Sequence, residues 1–393
     1  MNTPPRTGLP LPPATAAWQE GDPPGHRRWY AQGTPLPLET GGALPGVRLA
    51  YETWGRLAPD RSNAVLLLHA LTGDSHAAGA AGPGHPAPGW WDGLVGRGRA
   101  LDPARWFVVA PNVLGGCQGS TGPSSPGPGG RPWGRSFPPL TQRDQVAAEA
   151  GLADALGIDR WALVAGGSMG GMRALEWAVR HPERVAALLL LACPAAASAE
   201  QIGWAGAQLH AIRGDPYWRG GDYHDAPAGR GPHAGLGLAR RIAHVTYRSE
   251  PELQHRFANR LQERTPPAGA PAPEDGAGPR GGHYQVESYL DHHADRLVRR
   301  FDAGSYVTLT EAMNRHDIGR GRGGGRAALR RITARTLVAG VDSDRLYPLA
   351  QQAELAAGIP GADRTRVIGS PYGHDGFLIE TGQIAPLVRE LLG

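Results

Sequence analysis

Short, unbroken apolar runs recur along this chain at intervals too long for hairpins. They fall at Val65-Leu66-Leu67-Leu68-His69, Trp106-Phe107-Val108-Val109-Ala110, Trp161-Ala162-Leu163-Val164-Ala165 and over 185–192, and two further strands are read late in the chain, over 336–341 and 366–369. Runs that are apolar throughout, rather than at every second position, predict strands covered on both faces, and therefore a parallel sheet. Ahead of them, alternation over 36–51 predicts antiparallel edge strands. Helical spacing fills the gaps, for instance over 141–156, where Thr141-Gln142-Arg143-Asp144 supplies a capped start. The pattern changes over 195–330, which combines helical spacing, several Trp and Tyr and a Pro/Gly-rich stretch at 265–282, without a parallel-strand signal. This predicts a helical insertion, a lid, between two parts of one α/β core at 28–194 and 331–393. Residues 1–27, rich in proline and without periodicity, predict a loose arm. No internal repeat is present.

The third run leads into Gly166-Gly167-Ser168-Met169-Gly170-Gly171 and then a helical stretch from Met172. Strand, glycine-flanked serine and helix, with the spacing G-x-S-x-G, meet the requirement of a nucleophile elbow: a strained apex residue with no bulk beside it. Glycine is common in this chain, so the string gains weight only from its partners. A serine hydroxyl needs a histidine base oriented by a carboxylate, and on an elbow the order is Ser, acid, His. The strand over 336–341 ends in Asp342-Ser343-Asp344, and the next leads to Gly373-His374-Asp375. Both lie past carboxyl ends of strands, where open α/β sheets bind ligands. The expected triad is Ser168, Asp344 and His374, with Asp342 the rival acid. Backbone N–H groups of Met169 and of Leu71, in the loop His69–His76, are the expected oxyanion donors. His69 with His76, and His292 with His293, have no third ligand at suitable spacing, so no metal site is expected.

Forty basic residues, all arginine, stand against 36 acidic ones for a net charge of +4. The arginines are interspersed with acids, which argues against nucleic-acid binding. A Gly-Arg-rich tract over 319–331 resembles RNA-binding segments but has no aromatic platform beside it. The two cysteines, Cys117 and Cys193, exclude a disulfide framework and are read as buried small apolar groups. No apolar stretch approaches the roughly 18 residues of a membrane span, and the N-terminus has no signal-peptide pattern. A cytoplasmic protein with no membrane partner is expected.

Several longer strings extend the motif: AYETWG at 50–55, HALTGDSH at 69–76, GWWD at 89–92, NVLGGCQGSTGP at 112–123, GGSMGGMRALEW at 166–177, GGDY at 220–223, LARR at 238–241 with Thr246-Tyr247, VESYL at 286–290, RFDAGSYVTLTEAMNRHDIGRGRGG from Arg300, SDRLYPL at 343–349 and YGHDGFL at 372–378. In this order they resemble the homoserine O-acetyltransferase family, acyltransferases of the α/β-hydrolase fold, from about Leu36 to the C-terminus. The resemblance implies a mostly parallel sheet with helices on both faces and an inserted helical lid. It implies acetyl transfer from acetyl-CoA, a co-substrate rather than a resident cofactor, through Ser168 to the hydroxyl of L-homoserine, a step of methionine biosynthesis. It also implies Arg240 and Asp375 as substrate-binding residues and a homodimer formed through the lid. A guanidinium fork suits a carboxylate, and an aspartate suits an ammonium. The Gly-Arg tract belongs to the shared pattern, whereas the N-terminal arm and the 265–282 loop depart from it.

Close alternatives are succinyl-CoA as donor, serine as acceptor, or an esterase using water on the same triad. A noncatalytic binding protein is the reading from another class, and an intact triad argues against it.

Overall fold

The computed structural model describes residues 10–262 and 283–393. The expected loop at 265–282 lies outside them. Among the described residues ten strands are present: β1 (Arg28–Ala31), β2 (Leu36–Pro37), β3 (Ala43–Leu44), β4 (Arg48–Trp54), β5 (Ala64–Leu68), β6 (Phe107–Pro111), β7 (Leu163–Gly167), β8 (Ala187–Leu191), β9 (Arg335–Val341) and β10 (Arg366–Ile368). Eight form one sheet in the order β1-β4-β6-β5-β7-β8-β9-β10, and β2 and β3 make a separate ribbon. From β6 to β10 every neighbour is parallel, while β1 and β4 pair antiparallel at one edge. The all-apolar runs thus became the parallel strands, and all of β5 through β8 is buried. At about 1.5–3 kcal/mol for each fully buried Val or Leu, these strands are a main source of core stability.

Helices α1 (Gln142–Ala155), α2 (Met169–Arg180), α9 (Leu349–Gly358), α10 (Gly376–Ile379) and α11 (Thr381–Leu392) belong to the core. The capped start at Thr141 is present: its side chain accepts the Asp144 N–H, and Asp144 accepts the Thr141 N–H at 2.8 Å. Between β8 and β9 come α3 (Ala199–Arg213), α4 (His233–Tyr247), α5 (Glu250–Phe257), α6 (Gln285–Val298), α7 (Ala303–Asn314) and α8 (Gly325–Leu329). They contain the expected lid. Leu209, Ile212, Leu236, Leu297, Phe301 and Tyr306 form an apolar cluster of their own, which also takes in Leu71 and Met169. The catalytic candidates therefore lie on the seam between two packed bodies. Ala328, Leu329 and Ile332 join the main core, so the chain re-enters it slightly before residue 331.

The loose arm expected over 1–27 is corrected for the part from Ala14 onward. Ala14 and Ala17 are buried, Thr15 Oγ1 donates to Asp302 at 2.8 Å, the Trp18 N–H donates to the Cys117 carbonyl at 2.9 Å, and Arg27 donates to the Gly84 carbonyl at 2.8 Å. Alanine side chains and polar contacts do this docking, which leaves no periodic apolar trace for sequence reading to find. Among the described residues no helix is long and apolar enough to cross a membrane.

Candidate active site

Ser168 stands between β7 and α2 with φ 55° and ψ −124°, in the positive-φ half of backbone space that a non-glycine residue enters only under constraint. Its neighbours explain how that is tolerated. A Cβ on Gly170 would sit 1.9 Å from the Leu68 carbonyl oxygen, and one on Gly166 would sit 2.4 Å from the Gly170 carbonyl, so strand, turn and helix close up only because both positions are glycine. Ser168 lines a cavity of about 120 Å³ together with Leu71, Arg240, Tyr247, His374 and Asp375.

His374 lies on a short turn after β10. Gly373, at φ 63°, lets that turn approach the Tyr247–Ser249 backbone, where a Cβ would meet the Tyr247 carbonyl at 2.7 Å. His374 Nδ1 bonds Asp344 Oδ2 at 2.6 Å, leaving Nε2 as the nitrogen available to a substrate or to Ser168. Asp344 is held in turn: its other oxygen accepts the N–H groups of Leu346 and Tyr347 at 2.8 and 2.9 Å. The rival Asp342 instead accepts the Ser370 N–H at 3.0 Å and ties the loops after β9 and β10 together. Of the two acids, the geometry pairs Asp344 with the imidazole. Tyr347 packs against that imidazole with ring centroids 4.7 Å apart. In this conformation no hydrogen bond joins Ser168 to His374 among the described residues, although both line the one cavity; such bonds often tighten only with substrate present.

Met169 is the first residue of α2, where a helix leaves its N–H unpaired. Leu71 belongs to the facing loop. That loop is pinned by His69, whose Nε2 accepts the Val113 N–H at 3.0 Å, leaving Nδ1 as the protonated nitrogen facing the Ala70 carbonyl at 2.8 Å. Burial first, and then the Arg173 guanidinium, push the His69 pKa down to about 3, so the ring is neutral. Beneath the loop, wholly buried Arg173 donates to the His69 carbonyl at 2.8 Å and to Glu149 at 2.5 Å, and Glu149 also accepts from Trp177 Nε1 at 2.8 Å. Sequence reading missed this support; the spacing from Glu149 to Arg173 carries no signal.

Arg240 and Asp375 both line the cavity. Arg240 has its guanidinium carbon 5.6 Å from the Tyr247 ring centroid, and its buried Nε has no partner. Asp375 is pushed up by burial, opposed by Arg240, His374 and Arg248, and Arg248 Nη1 bonds it at 3.4 Å. Arg248 is a further site residue that the sequence did not single out. Both cysteines are buried, and burial pushes the Cys117 thiol up to about 12 and Cys193 up as well, so neither competes as a nucleophile.

For metals, the sequence expectation that His76 has no companions needs correction. Folding brings Glu52, His76 and His85 together, with ligand atoms within 4.8 Å of one another. The two imidazoles, however, are stacked with centroids 3.9 Å apart and planes 10° apart. Their lone pairs lie in parallel planes and cannot converge on one ion as coordination requires. His76 Nδ1 bonds Glu52 at 2.9 Å and His85 Nε2 accepts the His26 N–H at 3.0 Å, which accounts for the cluster as a buried hydrogen-bonded brace. His69 is satisfied on both nitrogens, and His292 meets His293 edge-on with ring centroids 5.5 Å apart.

An eight-stranded, mostly parallel sheet with an elbow serine and an Asp–His pair at its carboxyl edge defines the α/β-hydrolase fold, and residues 63–381 match the sequence pattern of that fold family. The chain is 67% identical over 97% of its length to a homoserine O-acetyltransferase of Thermobifida fusca, covering 97% of that protein. Among solved structures it resembles a homoserine O-acetyltransferase from Bacillus anthracis (TM-score 0.80, 27% identity, covering 93% of this chain and 97% of that one). It also resembles an acetylester hydrolase from Corynebacterium glutamicum (TM-score 0.77, 26% identity, covering 94% and 96%). The chain belongs to the homoserine O-acetyltransferase family.

Proposed function

We propose that this enzyme moves an acetyl group from acetyl-CoA to the side-chain hydroxyl of L-homoserine through an acyl-Ser168 intermediate, a step of methionine biosynthesis. The observation that carries the reading is the Asp344–His374 hydrogen bond in the same cavity as a strained serine, an arginine and an aspartate. Ser168 Oγ attacks the thioester carbonyl as its proton passes to His374 Nε2, and Asp344 stabilises the resulting imidazolium. The oxyanion accepts from the Leu71 and Met169 N–H groups. Collapse breaks the C–S bond, and the departing thiolate takes the proton from His374. The homoserine hydroxyl then attacks the acyl carbonyl and gives its proton to His374, and collapse returns that proton to Ser168 with release of O-acetylhomoserine. Arg240 holds the acceptor carboxylate and Asp375 its ammonium. The reading includes a cytoplasmic enzyme without a resident cofactor, paired as a homodimer; exposed Ile202, Trp204 and Leu238 on the lid helices support such an interface.

A panel of acetyl-CoA and succinyl-CoA against homoserine, serine and water, followed by CoA release, tests the assignment. Acetyl-CoA with homoserine is expected to exceed every other pair by at least about tenfold in kcat/KM. Comparable release with water alone would favour the hydrolase reading that the acetylester hydrolase neighbour keeps open.

Arg240→Ala is expected to raise the homoserine KM by roughly 10- to 100-fold, the loss of a charge-assisted pair of about 1.5–3 kcal/mol, while the acylation half-reaction stays within about twofold. Equal damage to acylation in single-turnover measurements would contradict its role as acceptor ligand.

A further inference from the structure

A second cavity of about 360 Å³ adjoins the first and shares Ala70, Thr72, Arg240, Asp375 and Leu378 with it. Its far wall is one face of α6 and the turn that follows, from which His293, Arg296 and Arg300 reach the cavity at successive turns. Arg300 is the deeper, donating to the Thr72 carbonyl at 2.9 Å beside the proposed oxyanion loop, and Arg296 is exposed nearer the rim. Among the described residues neither arginine, nor Arg240, has a carboxylate within 4.0 Å, although Asp74 also lines the cavity. The contrast with their neighbours is informative. Arg241 pairs with Asp291, Arg248 and Arg256 pair with Glu252, and Arg299 pairs with Asp295, all on the same lid helices or next to them. Along α4, α5, and α6 with the turn after it, the arginines turned to this cavity are the ones without a carboxylate partner. Gathering like charges around partly desolvated space is costly unless an anion completes the site.

We propose that this vestibule holds the phosphate-bearing nucleotide end of the acyl-CoA donor, with Arg296 and Arg300 as its anion contacts, so that the thioester reaches Ser168 past Thr72. This rests on the donor reading above and adds to it a docking site for the part of the donor remote from the chemistry. Remote binding of this kind positions the thioester. The adjacent imidazole feels part of this field: burial foremost, then Arg240, His292, Arg296 and Arg248, push the His293 pKa down to about 4.

The test compares acetyl-CoA with acetyl-pantetheine, which lacks the phosphates, in the wild type, in Arg296→Gln and Arg300→Gln, and in Arg213→Gln, a control for lost positive charge at an exposed lid arginine paired with Glu311. Calorimetric titration with CoA itself accompanies the kinetics. Arg296→Gln, at an exposed position where folding is not at risk, is expected to raise the acetyl-CoA KM and the CoA Kd by about tenfold or more, as one charge-assisted contact commands. The acetyl-pantetheine and homoserine KM values are expected to stay within about twofold, and Arg213→Gln to match the wild type. An unchanged acetyl-CoA KM in Arg296→Gln, or an equal rise for acetyl-pantetheine, would overturn the vestibule assignment while leaving the donor reading intact. A wild type that neither binds CoA nor releases it from acetyl-CoA would overturn both.

Discussion

Ser168→Ala is expected to lower acyl transfer by about 10⁴-fold or more while leaving the far-ultraviolet dichroism and thermal midpoint near those of the wild type. The magnitude follows from removing the elbow hydroxyl to which the mechanism assigns the ester; what remains is binding and the oxyanion donors. Neither cysteine can substitute, since Cys117 and Cys193 are buried thiols with raised pKa values. The fold should tolerate the change because the turn depends on Gly166 and Gly170 rather than on the hydroxyl. Steady-state CoA release checks this, and a variant retaining activity within tenfold of the wild type would mean that Ser168 does not carry the acyl group.

The largest effect on stability is expected from Glu149→Ala. Arg173 is wholly buried with Glu149 as its only carboxylate partner among the described residues. Removing that carboxylate leaves an uncompensated buried guanidinium, a loss of about 3–5 kcal/mol, and also strips Trp177 Nε1 of its acceptor. Urea unfolding should show the midpoint falling accordingly at an unchanged slope. A loss under about 1 kcal/mol would mean that water or another acid replaces Glu149. Because Arg173 also holds the His69 carbonyl, the variant that does fold is expected to acylate slowly, through displacement of the loop that carries Leu71.

Much of the core could be read from the chain because its strands are buried on both faces. Residues 64–68 and 163–167 have no solvent-facing side, so burial writes itself as an unbroken apolar run. The elbow is legible for a related reason: glycine at 166 and 170 is a steric necessity, and necessity leaves a string. Other features depend on where side chains turn in space, which spacing does not encode. Asp342 and Asp344 both follow β9, and only the direction of each carboxylate separates the one that bonds His374 from the one that ties two loops. Glu52, His76 and His85 come from a strand and two turns of a loop, and nothing in their order announces that they meet. Strand β1 at 28–31 is exposed or half-buried, with arginine and aromatic side chains in place of an apolar run, and so leaves no strand signal in the sequence. Arg240, Arg296 and Arg300 stand beside paired arginines in sequence and are told apart only by the cavity they face.

The central claim is that a serine on this elbow carries the acyl group, and it is tested most directly by mixing the enzyme with acetyl-CoA alone, quenching within milliseconds and mapping peptides by mass. The account predicts a burst of one CoA per active site together with an acetyl adduct confined to the peptide containing Ser168, discharged when homoserine is added. CoA release that appears only after homoserine is supplied, with no adduct at any quench time, would contradict it and require direct transfer between the two substrates.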